Sequence, residues 1–326
     1  MISCTIAIPV FNREALLGQA IESALAQADR DIEILVVDNC STDRSWDIAN
    51  GYSDPRLRLV RNERNLGLFG NFNRCLELAQ GTYIRILGSD DRLLPGCLRG
   101  EIDAMQQHPN VSLLSTRGWA VDQTYRRKRV VADLMAPGEY RGAEMIGATL
   151  WMLSHYKGTP LNLPSGILLR RSAAEQAGRF AMDMRLLGDV DYWLKMMTAG
   201  DVLIVDQFGC EIMEHTGQET FELNNNGYYA TELLLLARRW SSYLQRQGVY
   251  QQIVEQSAVC SLLMAVNYMM SSRPDTARLY WITATTQGLS YQELIAGLVR
   301  RARVRRRYRQ EKIDPYVKTL AVGQSI

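Results

Sequence analysis

Apolar positions along the first hundred residues switch between two periods. Cys4–Val10 is a short, largely β-branched apolar run and reads as a buried strand, after which Leu17, Ile21, Ala24 and Leu25 recur at helical spacing. Ile32–Val37 reads as a second buried strand. Polar loop residues then lead to Ser41, the expected N-cap of a helix running through Ile48. Leu57–Val60 is a short strand, and Leu68, Phe72, Leu76 and Ala79 form a helical stripe closed by Gly81. Tyr83–Leu87 is a further strand and runs straight into Gly88-Ser89-Asp90-Asp91. Strands and helices alternating in this order predict an α/β fold, a mostly parallel sheet flanked by helices on both faces. Such sheets bind ligands beyond the carboxyl ends of their strands. The polar clusters Asn12–Arg13, Asp38–Asp43 and Ser89–Asp91 all fall there.

Further along, Val111–Thr116, Leu163–Leu169 and Val202–Val205 read as strands, and Thr116–Val131 as an irregular or hairpin segment. Ala173–Gly178 and Asp189–Thr198 read as helices. From about Asn224 the pattern turns helical, with Leu233–Ala237 followed by Trp240 and Leu244. This predicts a sheet-bearing domain over 1–222 and a helical C-terminal region over 223–326. Gln256–Ser272 is uncharged but interrupted by Ser261 and Asn267, and it falls short of the ~20 apolar residues of a bilayer span.

Composition adds limits. Lys and Arg exceed Asp and Glu by two, so no overall charge directs the chain to a polyanion, and no nucleic-acid partner is expected. The six cysteines form no C-x-x-C pair, which favours buried thiols in a reducing compartment. No leader-like segment precedes the first strand, so a cytoplasmic protein is expected. One local exception is Arg300–Arg309, with seven arginines in ten residues. It reads either as a solvated helix face or as a peripheral contact with anionic lipid at the inner membrane face, worth ~1 kcal/mol per residue.

The chemistry concentrates at the strand ends. Asp90 and Asp91 are adjacent carboxylates after a buried strand; a solvated turn would explain them, but so would a hard divalent ion shared with substrate phosphates. Asp38 can accept a hydrogen bond from a nucleobase or ribose, or can simply shape an Asx turn. Arg64-Asn65-Leu66-Gly67 precedes a helix, and its glycine allows a backbone approach to phosphate. No Gly-x-Gly-x-x-Gly follows the first strand and no Gly-Lys-Ser/Thr loop is present, which argues against dinucleotide- and ATP-binding folds.

Four ordered segments, "IAIPVFNRE", "ILVVDNCSTD", "RNLGLFGNFNRCLELAQGTYIRILGSDD" and "AGRFAMDMRLLGDVDYWLKMMTAG", together resemble family 2 glycosyltransferases with the GT-A fold, over roughly residues 3–220. The resemblance implies an inverting, metal-dependent glycosyltransferase using Mn²⁺ or Mg²⁺ and a nucleotide diphosphate-sugar, of UDP or dTDP type. Its acceptor would be a glycan or a lipid-linked saccharide. Pro9, Phe11, Asn12 and Arg13 would line the nucleoside pocket, Asp38 would bind the base, and Asn65 and Gly67 would close it. Asp90 and Asp91 would reach the ribose and the metal, with His215 helping to hold metal or diphosphate. Asp189 would be the general base, with Asp191 as the alternative. Leu163–Arg171 would lie near the acceptor, and Trp193 and Lys195 would be structural. Two residues depart from the family pattern: Gly88, where many members carry the first aspartate of the acidic motif, and Gly188, where many carry a glutamate before the base. They leave open a second reading, a catalytically weak or inactive relative that still binds a nucleotide-sugar.

Overall fold

A computed structural model describes residues 2–28, 31–156, 158–214 and 228–270, with scattered positions between 275 and 287. The chain divides into two compact units. The first comprises Met1–Gly142, Leu161–Asp183 and Gly188–His215; the second comprises Ala143–Pro160, Met184–Leu187 and Thr216–Ile326. Position 222, where the domain boundary is expected, lies outside the described residues.

The first unit is built on ten strands in one sheet among the described residues. β1 (Cys4–Val10), β2 (Ile32–Asp38), β3 (Leu57–Arg61) and β4 (Tyr83–Ile86) form a parallel run in the order β3-β2-β1-β4. Both faces of this run are covered, which explains why β1, β2 and β4 are buried at every position. Ile6, Ile8, Ile34 and Val36 pack with Leu17, Ile21 and Ala24 of α1 (Leu17–Leu25). Ala7, Leu35 and Val37 point to the other face, against Cys75 and Leu78 of α3 (Leu68–Leu78). Between β2 and β3 lies α2 (Ser45–Asn50), whose start is three residues later than the sequence pattern predicts. Ser41 is not its cap, because the Ser41 hydroxyl is taken by the Asn12 amide at 3.0 Å.

Past β4 the sheet becomes mixed. β5 (Arg92–Leu93) and α4 (Cys97–Gln107) lead to β6 (Val111–Val121), which forms a hairpin with β7 (Arg127–Val131). β8 (Gly138–Tyr140) and α5 (Gly142–Tyr156) follow, and then β9 (Ile167–Arg170) runs antiparallel to both β4 and β6. After α6 (Arg171–Ala177) and α7 (Gly188–Ala199), β10 (Asp201–Met213) runs parallel to β6 and antiparallel to β5 and β8. Parallel order thus holds for the strands linked by helical crossovers, and it ends where β9 is inserted between β4 and β6. Arg85 of β4 and Glu101 of α4 form a fully buried ion pair beneath the sheet.

In the second unit the described residues beyond 227 are helical: α8 (Tyr228–Arg239), α9 (Ser241–Arg246) and α10 (Tyr250–Met270). Tyr229 Oη donates to the Leu153 carbonyl of α5 at 2.7 Å. Glu232 accepts the amides of Arg185, Leu186 and Leu187 at 2.7–2.9 Å, which satisfies its buried carboxylate. At 21 residues, α10 is longer than its uncharged stretch suggests, and by length and composition alone it could cross a membrane. About 62% of its most apolar window is buried, as in the central helix of a folded unit. Arg300–Arg309 lies outside the described residues.

Candidate active site

The loops after β1 and β2 are tied together by their own polar groups. Asn12 adopts a left-handed backbone, φ 53°, and its side-chain oxygen accepts the Thr42 amide at 2.8 Å. The Arg13 amide donates to Ser45 Oγ at 2.8 Å, and Asp43 and Glu14 take amides from each other's loop. Pro9 is buried in β1, level with Val37, while Phe11 at the strand's end is 40% exposed.

Behind these loops stands a set of asparagines that sequence reasoning missed, Asn65 excepted. Asn39 Oδ1 accepts the Leu66 amide at 2.9 Å and Asn62 Nδ2 at 3.0 Å, and Asn39 Nδ2 donates to Asn65 Oδ1 at 2.8 Å. Asn62 Nδ2 also donates to Asn71 Oδ1, and Asn71 Nδ2 to the Val37 carbonyl. This chain fixes the turn at Gly67, φ 75°, which opens α3. Asp38 sits on the floor with no exposure. Its oxygens accept the Ser41 amide at 3.3 Å and Arg61 Nε at 3.0 Å, and Arg61 in turn donates to the Ser41 carbonyl. Neither Arg61 nor the asparagines form a motif by spacing: Asn39 follows β2, Arg61 ends β3, Asn62 and Asn65 lie in the loop after it, and Asn71 is on α3.

The end of β4 is different. Gly88, Asp90 and Asp91 form a tight turn in which the two carboxylates converge. A Cβ placed on Gly88 would lie 2.7 Å from Asp91 Oδ2 and 3.2 Å from Asp90 Oδ1. A larger residue at 88 would therefore require the carboxylates to shift. Asp91 is buried; Oδ1 accepts the Met213 amide at 2.9 Å and Oδ2 accepts Ser165 Oγ at 2.5 Å. Burial, followed by the charge of Asp90, pushes the Asp91 carboxyl up to about 7, against the lowering effect of those two hydrogen bonds. Ser165 also accepts the Gly88 amide at 2.9 Å, so this residue of the segment expected near the acceptor braces the acidic turn. Tyr125, at φ 58°, lies with its ring 3.2 Å from the Arg92 guanidinium carbon; its buried hydroxyl has no hydrogen-bond partner among the described residues, and burial raises its pKa.

Do these residues suit a divalent cation? Two hard carboxylates focused on the gap that Gly88 leaves are a suitable donor pair, because Mg²⁺-type sites take one or two carboxylates and complete the shell with phosphates and water. No cluster of three or more His, Cys, Asp or Glu ligands occurs among the described residues. His215 lies outside them.

On α7, the two aspartates have separate surroundings. Asp191 is fully buried and paired with Lys195 Nζ at 3.2 Å. Asp189 is half-buried in the first turn, with Oδ1 accepting the Val190 amide at 2.7 Å. Gly188 is buried against Phe69, and a Cβ there would lie 2.6 Å from Phe69 Cζ. Phe69 cannot retreat, since it packs with Phe72 and Phe180, and Phe180 stacks on Tyr192. Trp193 is buried in the same aromatic block.

The family model described as "Glycosyl transferase family 2" matches residues 5–178. An uncharacterized protein of Mycobacterium tuberculosis, MT1568, is 34% identical over 208 residues, 62% of this chain and 64% of that protein. The Escherichia coli UDP-Glc:alpha-D-GlcNAc-diphosphoundecaprenol beta-1,3-glucosyltransferase WfaP is 35% identical over 102 residues, 31% of this chain and 41% of that protein. The chain thus spans less than two thirds of the length of either relative. Among solved structures, residues 1–349 of Staphylococcus aureus TarS in complex with UDP-GlcNAc align with a TM-score of 0.60 at 16% identity, covering 89% of this chain and 93% of that one. This likeness establishes the GT-A-type fold, a large central sheet flanked by helices.

Proposed function

The chain belongs to glycosyl transferase family 2, and from that premise we propose that it is an inverting glycosyltransferase moving a sugar from a nucleotide diphosphate-sugar to a glycan or lipid-linked saccharide. The observation that carries this reading is the turn at Gly88, where Asp90 and Asp91 converge beside loops already organised by Asp38 and Asn39. WfaP's lipid-diphosphate acceptor and the UDP-GlcNAc bound by TarS support the substrate classes, with UDP favoured over dTDP as the donor's nucleotide.

In this mechanism the nucleoside lies against Pro9, Phe11, Asn12 and Arg13, over the Asp38–Arg61 floor, with Asn65 and Gly67 closing it. Asp90 and Asp91 would hold Mn²⁺ or Mg²⁺, with His215 assisting; the ion would neutralise charge on the departing diphosphate. Ser165 and the Met213 amide keep Asp91 oriented. Asp189 takes the proton of the acceptor hydroxyl as it attacks the anomeric carbon. Asp189 sits in the first turn of α7, at the helix N-terminus. Asp191 is a poor alternative, since it is buried and held by Lys195. One base and no protein nucleophile make a single displacement with inversion. A catalytically weak or inactive relative that still binds a nucleotide-sugar is the second reading, motivated by Gly88 and Gly188.

Calorimetry with UDP tests the reading. Binding should tighten when Mn²⁺ is added and weaken with EDTA, and a UDP-sugar should hydrolyse slowly in the presence of Mn²⁺. Equal affinity under both conditions would remove the metal from the mechanism, and no binding of either UDP or dTDP would remove the function.

A further inference from the structure

α10 changes its surroundings halfway along. Ile253, Val254, Ala258 and Val259 are buried, and the polar side chains among them, Glu255, Gln256 and Ser257, are buried as well. From Ser261 onward one face opens. Ser261, Ala265 and Tyr268 stay buried, whereas Leu263, Val266, Met269 and Met270 are 42–83% exposed. At ~3.6 residues per turn these four fall within a stripe about 120° wide, opposite the buried three.

The chain beyond α10 repeats the pattern. Asp275, Ala277, Arg278, Trp281 and Ala284 are helical. Ala277 and Ala284, seven apart, are buried, while Arg278 and Trp281, three apart, are exposed. Ala277 packs with Ala265 and Tyr268 of α10, so the two helical stretches meet through these side chains and leave the apolar stripe and Trp281 outside. Of the nine large apolar side chains exposed among the described residues, five lie between 263 and 281. Single exposed apolar residues are ordinary, but a concentrated row of them marks a surface that docks on something.

The charge of the chain narrows the occupant. Residues 261–326 hold eleven Lys and Arg against four Asp and Glu, net +7, so the overall +2 leaves −5 for residues 1–260. A second copy docked stripe to stripe would bring two such cationic segments together, and the arginine-rich stretch that follows is too polar to cover the stripe itself. Nucleic acid would satisfy the arginines but leave Leu263, Val266, Met269 and Met270 in water. An anionic lipid surface takes both: apolar side chains enter the headgroup region, Trp settles at its edge, and Lys and Arg stay with the phosphates. We propose that Leu263, Val266, Met269, Met270 and Trp281 form a docking surface by which the chain lies on an anionic lipid membrane. α10 does not span that membrane, because its first half is already enclosed by protein. This role holds whatever the chain's catalytic activity.

Sedimentation of the full chain with phosphatidylcholine vesicles, with and without phosphatidylglycerol, tests this. The anionic vesicles should bind it and the neutral ones should not, and added salt should weaken the binding. The double change Val266→Asp with Met270→Asp should lower partitioning by at least about tenfold, because two large apolar side chains lose their burial in lipid. Its melting temperature should stay nearly unchanged, since both side chains are exposed. Trp281→Ser, a milder change, should lower partitioning too and keeps the test decisive if the double variant folds poorly. Met182→Asp, at an exposed position of the first unit, should change nothing. Unchanged partitioning of the stripe variants would overturn the proposal, and so would equal binding to neutral vesicles. A solution dimer that the stripe variants dissociate would overturn it as well, giving the surface to a second copy. None of these measurements depends on nucleotide binding, so a failure of the glycosyltransferase reading would leave them standing.

Discussion

The loops after β2 and the turn after β4 are neighbours on one sheet, yet they treat their polar groups in opposite ways. Around Asn39 the groups are matched: the loops after β2 and β3 exchange side-chain and backbone hydrogen bonds with each other and with α3, and the buried Asp38 carboxylate has Arg61. At Gly88 two carboxylates are driven together, one of them with its pKa pushed up to about 7, and a buried tyrosine hydroxyl has no partner among the described residues. Buried polar groups in a folded protein are normally satisfied. The first region is a closed hydrogen-bonded scaffold, and in the second two like charges are held side by side. The same contrast recurs on α7, between Asp191 held by Lys195 and the more accessible Asp189.

If that contrast is right, changes in the two kinds of place should separate activity from stability. The largest effect is expected from Asp189→Asn, which should lower transfer by ~10²–10⁴ while leaving the melting temperature and UDP affinity nearly unchanged. Steady-state kinetics beside a thermal melt would check it, and Asp191→Asn should do the reverse, lowering stability more than turnover. Asn39→Ala should cost ~2–4 kcal/mol, because several buried partners lose their bond at once; chemical denaturation measures this, and a neutral result would show the asparagine chain to be decorative. Gly188→Ala should cost ~1–3 kcal/mol by forcing a methyl group against Phe69. The smallest shift is expected from Asp90→Asn. Removing one of two like charges should alter stability by no more than ~1 kcal/mol, and it should go up if it moves at all; UDP binding in that variant should lose its response to Mn²⁺.

Legibility followed local regularity. β1 to β4 are readable within a residue or so because each is short, mostly apolar and bounded by turn residues. β10 was read as four residues and has thirteen. Asp206, Gln207, Gly209 and Glu211 break its apolar run, and the structure accommodates them with irregular register against β6 and by pairing Glu211 with Arg92 and Arg127. α5 went unread for the opposite reason: Met145 to Leu153 is buried nearly all round, so its sequence has no polar face to mark a period.

The amino-acid sequence by itself determined the parallel half of the sheet, the strand-end clusters at Asn12, Asp38 and Asp90–Asp91, and the family. All of these depend on patterns within some ten residues, or on short segments kept in order. Tertiary structure alone decided which polar groups are satisfied. Ser165 reaches Asp91 across 74 positions, and Asn73 reaches Phe180 across 107. It also decided what lies against residues 88 and 188: the Asp91 carboxylate in one case and the Phe69 ring in the other. A side chain's neighbours in space follow from how distant strands pack, and no local spacing encodes them.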